Sequence, residues 1–198
     1  MIVIAAPRCG GTVFTMDMSK KHNVEFVGQV HSPKYVETYY KTKRNNEKVL
    51  IHETQSQPVF TEEQYFDIMI NHEKYGILAN GVDNTLLLHQ ADYLLLRKNL
   101  FNIFASLDKY FKKIASSFNN PNAVDPERVK WDFVMRLNAI YNICLYAKKS
   151  NKKITWYEDF YHTPDYELTE DLFHKLHFIK NTNVEELFIE MGGIALPF

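Results

Sequence analysis

Residues 1–19 read MIVIAAPRCGGTVFTMDMS, and the fold class turns on how that stretch is parsed. Met1 to Ala6 form an unbroken apolar run containing β-branched Ile2, Val3 and Ile4, which predicts a strand buried on both faces. Pro7, Gly10 and Gly11 interrupt it, and from Thr12 to about His22 the pattern predicts a helix. A strand, a glycine turn and a helix N-terminus together make an anion site. The helix start leaves N–H groups without intrahelical acceptors, its dipole adds partial positive charge, and glycine lets the backbone come close to a phosphate. Arg8 can add a bidentate grip and Thr12 a hydroxyl. The nucleotide-binding pattern GxxxxGK[ST] requires lysine before the hydroxyl residue, and Gly11 stands there, which argues against an ordinary nucleoside triphosphatase. A plain strand-to-helix turn would use the same glycines for geometry alone.

Outward from this turn, Val24 to Val30 reads as a second strand, and Ser32 with Pro33 starts a helix to about Lys43. Lys48 to His52 gives a third apolar run, and Thr61 with Gln64 resembles a capping box. Gly76 to Ala79 is a short strand or a turn, Asp83 to Gln90 a short helix, and Tyr93 to Leu96 a strand ended by Arg97 and Lys98. Strands alternating with helices predict an α/β protein with three layers: a central, mainly parallel sheet flanked by helices. In such sheets ligands sit outside the strands' carboxyl ends. The second half reads as helical. Leu100 to Phe118 carries Phe101, Phe104, Leu107, Phe111 and Ile114 on one stripe, and a long helix from Asp125 and Pro126 to about Lys149 turns Trp131, Val134, Leu137, Ile140, Tyr141, Cys144 and Leu145 inward. Lys152 to Trp156 reads as a last strand, followed by helices near Thr169 to Leu176 and Val184 to Glu190, with Gly192 and Gly193 as a stop.

At 198 residues the chain fits one domain, residues 1–198, large enough to bury roughly two thirds of its unfolded surface. Lys plus Arg number 23 against 24 for Asp plus Glu, so a net charge of -1 offers no general attraction to nucleic acid or membrane, and any anion site is local. Cys9 and Cys144 are the only cysteines, which fits a reducing compartment. No apolar run approaches the ~20 residues of a membrane span and Met1 to Ala6 is too short for a signal-peptide core, so a soluble cytoplasmic protein is expected. No histidine set has metal-ligand spacing; His174 and His177 lack partners, and no metal is expected.

Three segments together resemble the PAPS-dependent sulfotransferases, whose fold is a P-loop NTPase-like relative. PRCGGT resembles the family's 5′-phosphosulfate loop, P-[KR]-S-G-[ST]-[ST]. Pro7, Arg8, Gly10 and Thr12 match, while Cys9 replaces a serine and Gly11 a hydroxyl residue. YLLLRKNLFNIFASL resembles the 3′-phosphate segment, a strand ending in arginine followed by a helix carrying a serine. Ser106 lies nine residues after Arg97 and eight after Lys98; the family's usual spacing matches the shorter, so Lys98 competes for the arginine's role. ITWYEDFYHTP is similar to the family's late strand and YED turn, where Glu158 and Asp159 would have structural roles only.

The resemblance implies sulfuryl transfer from 3′-phosphoadenosine 5′-phosphosulfate (PAPS) to a hydroxyl acceptor, with arginine at position 8 pointing weakly to a carbohydrate. Arg8, Cys9, Gly10, Gly11 and Thr12 would hold the 5′-phosphosulfate, and Arg97, Lys98 and Ser106 the 3′-phosphate. A base is also needed. His52 and Glu53, at the end of the third apolar run, are the candidates, with His31 behind them. The family's late basic-glycine segment over the cofactor has no counterpart here. Two other readings stand beside the enzyme: a non-catalytic descendant of the same fold with a binding or assembly role, and a small kinase-like P-loop protein.

Overall fold

The computed structural model of the chain describes residues 1–29, 63, 67–68, 71, 74–80, 85–117, 126–177, 180 and 182–198. The first apolar run becomes strand β1 (Ile2–Ala5), and the glycine turn leads into helix α1 (Gly11–His22) and strand β2 (Glu25–Gln29). After β3 (Tyr75–Asn80) a 3-10 turn over Thr85–Gln90 leads to β4 (Tyr93–Leu96). The helical half contains α2 (Leu100–Ser117) and α3 (Pro126–Ser150), then β5 (Thr155–Trp156), a second 3-10 turn at Tyr157–Asp159, α4 (Glu170–Leu176) and α5 (Asn183–Glu190).

The five described strands form one sheet in the order β2-β3-β1-β4-β5, and every pairing among them is parallel. β1 is therefore central, flanked by β3 with Ile4 opposite Ala79 and by β4 with Ile4 opposite Leu94. That position explains its sequence, since a strand with neighbours on both edges and helices on both faces has no polar side to display. Alternate β1 residues serve the two faces. Val3 and Ala5 pack with Phe14 and Met18 of α1, whereas Ile2 and Ile4 join the larger core built on α2, α3 and the C-terminal helices. The result is three layers with the sheet between, an α/β architecture with a mainly parallel sheet. β3 comes from the stretch that sequence alone leaves as strand or turn, and its pairing with both β1 and β2 settles it as a strand.

The α2 stripe is as read: Phe101, Phe104, Leu107 and Phe111 are buried. On α3, Leu137, Ile140 and Cys144 face the core and Tyr141 and Leu145 pack at its margin, but Val134 is 48% exposed. Phe133, one position earlier, takes the inward place because the buried row runs Val129, Phe133, Leu137, Ile140, Cys144 at helical spacing, and Val134 lies past its edge. The side chains of Trp131 and Ile114, the strand expected at Lys48 to His52, the helix expected at Pro33 to Lys43 and the box at Thr61 lie outside the described residues.

Two contacts at the chain's end fix the carboxyl edge of the sheet. After α5 the backbone turns at Gly192, whose φ is 92°, and Ile194 lays its N–H on the Lys98 carbonyl at 2.7 Å while its own carbonyl accepts from Leu100 at 3.2 Å. Buried Glu185 accepts the Leu196 N–H at 3.0 Å and holds the tail down. Farther on the same side, Lys175 of α4 pairs with Asp108 and Asp171 at 2.7 Å each, and Lys112 pairs with Asp108 at 2.7 Å, which ties α4 to α2.

Candidate functional site

In a doubly wound sheet the cleft lies where neighbouring strands send their connections to opposite sides. Here the chain leaves β1 for β2 on one side, through α1 on one face, and leaves β4 for β5 on the other side, through α2 and α3 on the opposite face. The carboxyl ends of β1 and β4 are adjacent, so the loop carrying Arg8 and the loop carrying Arg97 open into one crevice.

The first loop is shaped by two left-handed positions, Arg8 at φ 69° and Gly10 at φ 78°, with the Cys9 N–H bonded to the Ala6 carbonyl at 3.2 Å. A side chain at Gly10 is impossible without rearrangement, because its Cβ would lie 2.2 Å from the Tyr157 ring. α1 then starts with no side-chain cap on Gly10 and no acidic residue in its first turn, so neither its cap nor its own first turn offsets its positive end. Thr12 is exposed in that turn. Cys9 is different. Its side chain is fully buried, desolvation pushes the thiol up to about 12, and it packs in the core with Cys144. What Cys9 offers a ligand is loop shape, since both its thiol and its N–H are directed elsewhere.

Arg8 reaches across the crevice. Its Nη2 donates to Ser106 Oγ at 3.5 Å and its guanidinium lies 4.9 Å from the centre of the Tyr110 ring, both on α2. Desolvation is the main cause holding its pKa below the ordinary arginine value, and the positive charges of Arg97 and Arg136 push the same way. Arg97 follows β4 and is 8% exposed, with its guanidinium 5.5 Å from the Tyr157 ring centre; its Nε and Nη1 are buried with no hydrogen-bond partner among the described residues. Buried guanidinium N–H groups left unpaired are costly, and an ion or an ordered water ordinarily meets them. Lys98 donates its backbone N–H to Glu158 Oε2 at 2.6 Å, so Glu158 secures the end of β4, as the resemblance implied for a structural acid.

Ser106 is 6% exposed on α2, with Arg8 and the Tyr166 hydroxyl beside it. Burial raises the Tyr166 pKa, but hydrogen bonding to Ser106 and Arg97 and the charges of Arg97 and Lys109 outweigh it, and the phenol is more acidic than usual. The segment carrying Tyr166 is held at both ends. Tyr161 donates to Asp17 of α1 at 2.7 Å and stacks on Tyr157, and Thr169 caps α4 through the Leu172 N–H at 3.3 Å.

The structure thus brings Arg8, Gly10, Gly11, Arg97 and Ser106 to one crevice. His52, Glu53 and His31 lie outside the described residues. Sequence reading missed Tyr110, which packs on Arg8, and Tyr166, which bonds to Ser106 and Arg97; neither carries a local signal. Elsewhere on α3, Arg136 pairs with Asp132 four residues earlier at 3.8 Å. His174 sits 3.9 Å from Glu170, and no cluster able to hold a metal occurs among the described residues. No described helix is long and apolar enough to cross a membrane.

Comparison with protein-family models, with curated proteins and with solved structures found no match for this chain.

Proposed function

We propose that the protein is a PAPS-dependent sulfotransferase acting on a hydroxyl acceptor such as a carbohydrate, with the P-loop-like sulfotransferase fold as its scaffold. The observation that carries this reading is the meeting of Arg8 and Ser106 across the β1–β4 crevice beside the unpartnered N–H groups of Arg97. Those groups, with the uncapped start of α1, fit a ligand bearing anions at two ends.

Sulfuryl transfer resembles phosphoryl transfer: a charged group passes in line between two oxygens, so positioning and charge stabilisation supply most of the rate. In this reading the Gly10, Gly11 and Thr12 backbone and Arg8 hold the 5′-phosphosulfate and neutralise the charge that grows on the bridging oxygen as its bond to sulfur breaks. Arg97, Lys98 and Ser106 hold the 3′-phosphate. The acceptor oxygen attacks sulfur and passes its proton to a base, for which His52 and Glu53 are the proposed groups. Arg8 must leave Ser106 to serve the first loop, and the 3.5 Å contact is long enough to be given up at little cost.

Calorimetric titration with adenosine 3′,5′-bisphosphate tests the reading. Micromolar binding that Arg8→Ala and Arg97→Ala each weaken is the expected result; no binding by a normally folded chain would overturn it. One observation favours the second reading, a non-catalytic binding or assembly protein: the residue standing where the family has a loop serine, Cys9, has its thiol sealed in the core. That reading predicts no consumption of PAPS with any acceptor. A preference for ATP with magnesium would instead favour the kinase-like reading.

A further inference from the structure

The loop that carries Arg97 is braced by a piece of chain that the resemblance does not include. Lys98 and Asn99 join β4 to Leu100, the first residue of α2, and Ile194, beyond α5, lies alongside Asn99 as a single parallel bridge. The Ile194 N–H donates to the Lys98 carbonyl at 2.7 Å, and its carbonyl accepts the Leu100 N–H at 3.2 Å. That N–H is one of those a helix start leaves without an intrahelical acceptor, and Asn99 Oδ1 takes the next, from Phe101 at 3.0 Å. Ile194 thus holds the point where Arg97 and the helix bearing Ser106 are joined. It does so with backbone, since its side chain is 51% exposed. Both ends of the segment are anchored in the core. At Gly193 a Cβ would come 2.2 Å from the fully buried Phe188 ring, which packs edge-on against Trp156 at 5.6 Å. Leu196 is buried, and its N–H donates to buried Glu185 at 3.0 Å.

We infer that Ile194 is a positioning residue: through its backbone the segment from Gly192 to Leu196 is a strap that aims Arg97 at an anion, and loosening it spoils that aim while the fold survives. The inference rests on the proposed reading for the nucleotide used to measure it, and on the geometry alone for the strap. The Arg97 guanidinium leaves Nε and Nη1 without partners among the described residues, so the backbone beneath it carries much of the aim. Glu158 fixes that backbone from one side, at the Lys98 N–H, and the strap fixes it from the other, at the Lys98 carbonyl. With the strap gone the peptide after Lys98 is free to turn, and the start of α2 loses an acceptor with it. Two neutral hydrogen bonds are a small share of a domain's stability, so their loss leaves the sheet and its core standing.

The test uses the full chain as wild type, Ile194→Pro, which has no N–H to give Lys98, and Ile194→Val, which keeps it. The preference for adenosine 3′,5′-bisphosphate over adenosine 5′-monophosphate should fall roughly tenfold in Ile194→Pro and hold in Ile194→Val. That figure lies between the few-fold worth of one hydrogen bond and the hundredfold that a misplacement of about 1 Å can cost. A ratio of two affinities on one protein does not move when part of the sample is unfolded, so a folding defect cannot imitate this result. Amide hydrogen exchange reads the strap without any ligand. The Leu100 amide should exchange roughly tenfold faster in Ile194→Pro, while Ile4 and Leu95 in the sheet keep their protection. An unchanged ratio, or an unchanged Leu100 amide, would overturn the inference, and so would protection lost throughout the sheet. Should wild type bind neither nucleotide, or show no preference for the bisphosphate, the PAPS reading falls and inorganic phosphate becomes the probe. Phosphate binding weakened by Arg97→Ala and by Ile194→Pro, but not by Ile194→Val, would then uphold the strap; any other pattern, including no phosphate binding, would sink it.

Discussion

Arg8 sits in the left-handed region at φ 69°, a conformation that costs a residue with a side chain roughly 1–2 kcal/mol. Nothing in the loop's hydrogen bonding requires arginine there, and such strain is retained where a side chain has a task. Arg8→Gly relieves that strain but loses the contact with Tyr110 and gains freedom in the unfolded chain, two opposing terms of about 0.5–1 kcal/mol each. The variant should unfold in denaturant within about 1 kcal/mol of wild type while anion binding weakens; a loss of stability above about 2 kcal/mol would mean that Arg8 is chiefly structural. Tyr166 offers a second probe. Its folded pKa lies below the ordinary 10.0, so the native state releases that proton before the unfolded chain does, and stability gains as pH rises through the folded value up to about 10. The buried thiols of Cys9 and Cys144, pushed up to about 12, act oppositely above pH 9, so the comparison must be with Tyr166→Phe, which keeps both cysteines. Tyrosinate absorbance in an alkaline titration should show one early ionisation that Tyr166→Phe abolishes. Saturating anion, by neutralising Arg97, should delay it; an early ionisation that survives the substitution would remove Tyr166 from the site.

At the scale of elements, the end of β4 depends on a partner from β5's side of the sheet. Glu158 accepts the Lys98 N–H at 2.6 Å, and Ile194 bonds to the Lys98 carbonyl, so both polar groups of that residue are committed where Arg97 must be aimed. Glu158→Ala should cost about 1–3 kcal/mol of stability, the usual consequence of stranding a buried donor, and Glu158→Gln less, because it keeps an acceptor oxygen. Chemical denaturation of the two variants reads the difference, and equal losses would show that the carboxylate's charge matters and its hydrogen bond does not. The same elements show what could be read in advance. β1, α1, β4 and α2 were legible because apolar runs, glycine breaks and helical spacing are local signals. β3 was ambiguous because GILA is short and its evidence is the neighbours that bury it. Val134 falls outside the inward row because helical spacing leaves one position of freedom in the sequence, while packing on the sheet leaves none. Of the site, Arg8 and Arg97 stand just past strand ends and Ser106 in the helix that follows β4, places that local patterns mark. Tyr166 is not so marked, because it reaches Ser106 and Arg97 only through the docking of the segment before α4, a contact that no local pattern records.

Taken whole, the molecule places the loops after β1 and β4 side by side because the two strands are neighbours and the connections after them depart to opposite faces. One crevice, lined by the uncapped start of α1 on one side and by unpartnered arginine on the other, follows from that winding. The proposed role of this crevice is to take the two phosphates of one adenine-bearing donor. A crystal structure with adenosine 3′,5′-bisphosphate bound tests it most directly. The account predicts the 5′-phosphate against the backbone N–H groups of Gly10, Gly11 and Thr12 and the 3′-phosphate between Arg97 and Ser106. A nucleotide bound elsewhere on the molecule, or one with its phosphates turned away from both loops, would contradict it.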